Sequence, residues 1–223
     1  MESTLRRTAP QGLTLFETMG YSPTDGIKYL SLHLDRLCVS AKAFDIPFSR
    51  AAILDRLQSA LPSDKSLRVR LDLSLTGEIN LATAPMPAAA NNWTVAISDT
   101  SMIASDPWRA FKSSQRHVYD LKRASLPAQI DELLFVNTRG QLTEGTITNV
   151  FVDLGDGILR TPPVSAGVLP GILRRHLIET GQARVSSLQP DVLKSESTTL
   201  FVGNALRGVI PCVYANVCNP TPP

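Results

Sequence analysis

The chain has only three cysteines, Cys38, Cys212 and Cys218, in 223 residues. Their spacing fits no metal site, so no metal is expected. An odd, sparse set reads as reduced thiols, which makes a cytoplasmic protein the expectation. Long apolar runs are also lacking: nothing approaches the roughly 18 residues that would announce a membrane-spanning helix. The opening residues MESTLRRTAP contain no apolar core of a secretory signal. An excess of one charge sign is lacking, with 22 Lys and Arg against 20 Asp and Glu and a net +2. Nucleic-acid binding wants a concentrated basic face, and that class is set aside. There is no internal repeat, and the one biased block is the proline-rich tail at 219–223.

What remains is ordinary globular material, 43% hydrophobic and 19% charged, enough for one large or two modest domains. Residues 13–19 (LTLFETM) read as a strand. PTDG at 23–26 is a hairpin turn, which places Tyr21 and Tyr29 on paired strands. Segment 31–44 carries an apolar stripe (Leu34, Leu37, Cys38, Ala41, Phe44) at helical spacing and stops before Pro47. A second helix is predicted over 49–61, capped by Ser49. LRVRLDLSL at 67–75 alternates strictly, as a half-buried strand does, and returns after Thr76-Gly77. APMPAAANN marks a boundary. The division expected is a small α/β domain at 1–86, a linker at 87–92 and a larger domain at 93–223. In that larger domain 115–125 reads as a helix with Val118, Leu121 and Ala124 inward. Strands follow at 133–137, 142–148 and 150–152. Pro170-Gly171 opens and Gly181 closes a further helix.

The chemistry centres on residues 111–151, FKSSQRHVYDLKRASLPAQIDELLFVNTRGQLTEGTITNVF. A lysine amine is the side-chain group that bonds an aldehyde cofactor, and a carboxylate keeps a pyridine nitrogen protonated. Residue chemistry alone leaves six lysines eligible (Lys28, Lys42, Lys65, Lys112, Lys122, Lys194), and most lysines are solvated surface groups. It also leaves Glu132 as a rival to Glu144.

Resemblance narrows the choice. FKSSQR and VYD, then IDELLFVNTRGQLTEGTITNVFV, TPP and GVLPGILRRHLIE, resemble the class IV aminotransferase family. These are the fold-type IV pyridoxal enzymes, including branched-chain and D-amino-acid transaminases and 4-amino-4-deoxychorismate lyases. The signature residues here are Asp131, Glu132, Asn137, Gly140, Glu144, Asn149 and Phe151. The resemblance implies an α/β (α+β) fold of two domains, the larger with a mixed, barrel-like sheet. It implies pyridoxal 5'-phosphate bonded to Lys112, with Glu144 on the ring nitrogen and Asn149 beside it. Arg36 in HLDRL, the amides of Ile172 and Leu173, and Asn204 in GNA would hold the phosphate. Thr18 in FET would handle protons in the lyase members. The plainer readings are a packed strand residue for Thr18 and a solvated helix residue for Arg36. Arg70 and Arg207 either meet a substrate carboxylate or serve as wet-face and turn residues. The position five after the lysine, a tyrosine in the transaminases, is His117.

An amine substrate and a homodimer are implied, with no nucleic-acid or membrane partner. LFETM, NALRGVIP and the threonine at 18 resemble the lyase side of the family. An amino-acid aminotransferase is the alternative, and a non-catalytic cofactor-binding member a third reading.

Overall fold

The computed structural model describes residues 3–215; Cys218 and the block 219–223 lie outside them. The chain divides into two compact units. The first is Met1–Ala88 with Phe111–Arg116, and the second is Ala89–Ala110 with His117–Pro223.

In the first unit a short helix, α1 (Thr4–Thr8), precedes β1 (Thr14–Ser22) and β2 (Gly26–Ile27). Then come α2 (Leu30–Ala43), α3 (Arg50–Ala60), β3 (Leu67–Ser74) and β4 (Ile79–Pro85). The sheet runs β2-β1-β3-β4 with every pairing antiparallel. Alternation decides which residues go inside: Leu15 and Met19 of β1 and Val69, Leu71 and Leu73 of β3 are buried. The stripe on α2 brings Leu34, Leu37 and Ala41 into the same core. Each such leucine contributes about 2 kcal/mol of burial. Ser49 caps α3 by accepting the Ala52 N–H at 3.2 Å. Tyr21 pairs with Ile27 as expected, but Tyr29 is not on a strand. It sits at the start of α2 in the left-handed region, φ 58°, because the chain must turn sharply from hairpin into helix.

Phe111–Arg116 joins this unit through backbone pairing with β1. Leu15 bridges Ser113, the Phe16 N–H donates to the Lys112 carbonyl at 2.9 Å, and the Ser114 N–H donates to Thr14 at 2.8 Å. Lys112 is therefore grouped with the first unit, although the residues on either side of its segment belong to the second.

The second unit holds β5 (Trp93–Met102), α4 (His117–Ala124), β6 (Glu132–Asn137), β7 (Leu142–Gly145), β8 (Asn149–Asp153) and β9 (Leu159–Thr161). It continues with α5 (Ile172–Glu179), β10 (Ala183–Val185), β11 (Thr199–Asn204) and β12 (Gly208–Tyr214). The sheet order is β10-β9-β8-β11-β12-β5-β6-β7, and β7 also pairs with β8. That extra pairing closes six strands into a barrel-like ring, so those strands present no open edge. Val150 and Val152 join one apolar cluster with Val95, Leu134, Val202 and Ile210. Between them Phe151 points the other way and packs with Leu173 and Leu177 of α5, as strand alternation requires.

Helix α4 departs from the reading of its faces. Leu121 is 55% exposed and Ala124 is exposed as well. The side chain it turns inward is Tyr119, whose ring meets Phe135 edge-on at 5.3 Å. No helix among the described residues is long and apolar enough to cross a membrane.

Candidate functional site

In the first unit the face of β1 that carries Phe16 and Thr18 gathers cations. The Lys112 Nζ lies 4.5 Å from the Phe16 ring centroid, the Arg70 guanidinium 3.9 Å and that of Arg116 6.0 Å. Thr18 is the register partner of Arg70 across β1 and β3. Lys112, Thr18 and Arg70 therefore share one neighbourhood, although they are separated by long stretches of sequence. The Arg70 fork is closed on Asp72, Nε to Oδ2 at 2.8 Å and Nη2 to Oδ1 at 2.7 Å. A substrate carboxylate would have to compete with Asp72 for it.

One residue along β1, Glu17 points to the opposite face and is 1% exposed. It accepts from Arg36 Nε at 2.8 Å and Nη2 at 2.5 Å, and lies 2.6 Å from His33 Nδ1. Burial opposes the charge on Glu17. The positive charge of Arg36, with the hydrogen bonds from His33 and Arg36, outweighs it and holds the carboxyl at about 2. Arg36 is thus fixed by a buried acid rather than lying solvated on its helix. Sequence reasoning named Arg36 but missed Glu17 and His33; the apolar alternation of LTLFETM, with Glu17 on its buried parity, was the available signal.

In the second unit Glu144 is the centre. Its Oε1 accepts the Tyr119 hydroxyl at 2.5 Å. Its Oε2 accepts the Leu169 N–H at 3.0 Å and the Asn149 amide at 3.3 Å. Asn149 also donates to the Leu169 carbonyl at 3.1 Å. Gly171 has to lack a side chain, because a Cβ there would run into Asn149 Oδ1. Glu132, the rival acid, is buried too but fully engaged in structure. It accepts from the N–H groups of Leu133, Thr146 and Ile147 and from the hydroxyls of Thr146 and Thr148.

Helix α5 begins at Gly171 with no side-chain cap. The amides of Ile172 and Leu173 stand in its first turn, where N–H groups have no acceptor within the helix and the dipole is positive. Gly203 abuts this turn: a Cβ on it would lie 2.8 Å from Leu173 Cδ2. The side chain of Asn204 is spent on its own loop, donating to the Ile147 carbonyl at 3.1 Å and accepting the N–H groups of Leu206 and Arg207. What this loop offers an anion is backbone. The Arg207 guanidinium stands 5.3 Å from the Trp93 ring centroid. Arg174 is buried, donates to the Pro162 carbonyl at 2.8 Å, and has an Nε with no partner among the described residues. Burial pulls its proton affinity below the usual arginine range, against the opposing charge of Glu144.

The donor set suits a phosphorylated pyridine. A buried carboxylate is held by backbone and amide donors for a ring nitrogen, and uncapped helix amides are available for a phosphate. No group of residues among those described could hold a metal ion. His117, at the position of the transaminase tyrosine, is exposed. The phenol beside Glu144 is that of Tyr119, two residues on, which sequence reasoning missed because it put Leu121 on the inward face of the helix.

The sequence model described as amino-transferase class IV matches residues 14–214. A Schizosaccharomyces pombe protein with the provisional name aminodeoxychorismate lyase is 31% identical over 207 residues, 87% of each chain. A solved structure from Mesorhizobium loti, provisionally named an amino-acid aminotransferase, is 36% identical with a TM-score of 0.86. That match covers 91% of this chain and all of the other. The 4-amino-4-deoxychorismate lyase of Pseudomonas aeruginosa shares the fold, with a TM-score of 0.76 and 20% identity over 97% of this chain and 88% of its own.

Proposed function

The chain belongs to the class IV aminotransferases, a family of enzymes, and from that premise we propose that it is a pyridoxal-phosphate-dependent 4-amino-4-deoxychorismate lyase. The reaction eliminates pyruvate and leaves p-aminobenzoate, a precursor for folate. The observation that carries this reading is the fission-yeast relative of that name, matched over most of both chains. Thr18, in the position of the lyase threonine, supports it.

When bound, pyridoxal phosphate supplies an electron sink conjugated to the substrate amine. Lys112 Nζ would be the amine that holds its aldehyde and the base that moves a substrate proton. Glu144 would keep the ring nitrogen protonated. The amides of Ile172 and Leu173, the Asn204 loop backbone and the Arg36 guanidinium would hold the phosphate. Thr18 would pass a proton to the departing three-carbon unit. The protein works as a homodimer on a small-molecule amine in the cytoplasm, with no nucleic-acid or membrane partner.

The second reading, an amino-acid aminotransferase, is favoured by the Mesorhizobium loti structure and its full-length match. The two part on product. Incubation with 4-amino-4-deoxychorismate and no oxo acid releases pyruvate and p-aminobenzoate if the chain is a lyase. Strict dependence on a 2-oxo acid acceptor, with turnover of a branched-chain or D-amino acid, establishes the transaminase instead.

A further inference from the structure

Tyr119 is given no role by the family pattern noted in the sequence, yet it makes a short polar contact to Glu144. Its hydroxyl donates to Oε1 at 2.5 Å, while the backbone of Leu169 and the amide of Asn149 take Oε2. The carboxylate is thereby gripped from both oxygens, by groups from α4, β8 and the loop ahead of α5. The phenol is itself held. Phe135 packs edge-on against its ring, and the Arg109 guanidinium stands 5.0 Å from the ring centroid. Arg109 is ion-paired in turn to Asp106 at 3.2 Å.

From this chain of donors we propose that Tyr119 is the positioning residue for Glu144. The phenol fixes the rotation of the carboxylate, and so the direction in which it presents an acceptor to the pyridine nitrogen. The proposal rests on the reading of Glu144 as the ring partner and adds the residue that aims it. Burial and the charge of Glu144, against the pull of Arg109, push the phenol above its ordinary range. Tyr119 is therefore a permanent donor at working pH and never a competing base. A freely rotating carboxylate would have to be ordered each time the cofactor entered, and that ordering costs affinity. With Arg109, Tyr119, Asn149 and Leu169 in place it is ordered beforehand.

A double-mutant cycle of Tyr119→Phe and Glu144→Gln tests this, read in two ways on the full chain. Without cofactor, the urea midpoints of the four proteins report whether phenol and carboxylate interact in solution. Non-additive midpoints are expected, and additive ones overturn the proposal. With pyridoxal phosphate, titration followed by visible absorbance gives affinity. Tyr119→Phe weakens it roughly tenfold, as for one lost hydrogen bond to a charged group. In the Glu144→Gln background the same change has less than a twofold effect. A tenfold loss that persists in that background means the phenol meets the cofactor directly, and it overturns positioning. Non-additive midpoints together with unchanged affinity in Glu144→Gln alone would remove the ring-partner reading and the proposal with it. That pattern is distinct from the additive midpoints that defeat positioning by itself.

Discussion

Thr146 donates to Glu132 Oε1 twice, through its backbone N–H at 2.9 Å and its hydroxyl at 2.5 Å. With Ile147 and Thr148 on the other oxygen, one buried carboxylate ties down the turn between β7 and β8. The residue aimed by that turn is Glu144, at the register pair with Asn149. Two acids twelve positions apart differ in their partners: Glu132 takes its donors from the turn itself, and Glu144 takes Tyr119, Asn149 and the Leu169 N–H.

This turn has no room for a side chain at Gly145. A Cβ there would lie 2.7 Å from Glu132 Cδ and against the Thr148 hydroxyl. Gly145→Ala is expected to destabilise the protein by about 1–3 kcal/mol, the usual cost of overpacking. Chemical denaturation measures it, and a midpoint equal to that of the parent would refute the tight turn.

Lys112→Ala is expected to abolish both turnover and the visible absorbance of bound pyridoxal phosphate. Borohydride reduction of the parent, followed by peptide mass spectrometry, should add the phosphopyridoxyl mass to the peptide containing Lys112. Label on another lysine would transfer the role.

Glu144→Ala should lower kcat by on the order of 100-fold or more, the scale of lost preorganised electrostatics. Steady-state kinetics at saturating cofactor separates this from weak binding. Turnover equal to the parent would show that Glu144 is not the ring partner.

Glu17 gives the protein an acid limb. Its carboxyl is held at about 2 in the folded state, with burial opposing and Arg36 and His33 prevailing. A depressed carboxylate contributes stability above its unfolded value, near 4.5. That contribution is lost as pH falls through the window from about 4.5 to about 2. Thermal melts over this range should show the loss, and Glu17→Gln should flatten it.

Arg36→Ala would strand the Glu17 charge in the core, a cost to folding that obscures any effect on the cofactor. Arg36→Lys keeps the charge and gives up the fork. It should weaken retention of pyridoxal phosphate by roughly tenfold, measured by equilibrium titration. Affinity equal to the parent would confine Arg36 to its pairing with Glu17.

The strands and most helix boundaries were legible because alternation and the 3.6-residue stripe are local properties, as LRVRLDLSL and the stripe from Leu34 to Ala41 illustrate. The lysine, the acid and the uncapped helix start were legible as a motif. Partnership was not. Nothing within reach of Tyr119 in the sequence says that it turns toward Glu144, because that depends on α4 packing beside β6. Nor does the chain's order say that Lys112 pairs with β1, since the backbone bonds that join them link segments about a hundred residues apart. Sequence by itself determined which residues carry charge, amine and hydroxyl and which faces must be buried. Only tertiary structure decided which partners each buried acid takes, because that depends on which donors the fold brings to each one.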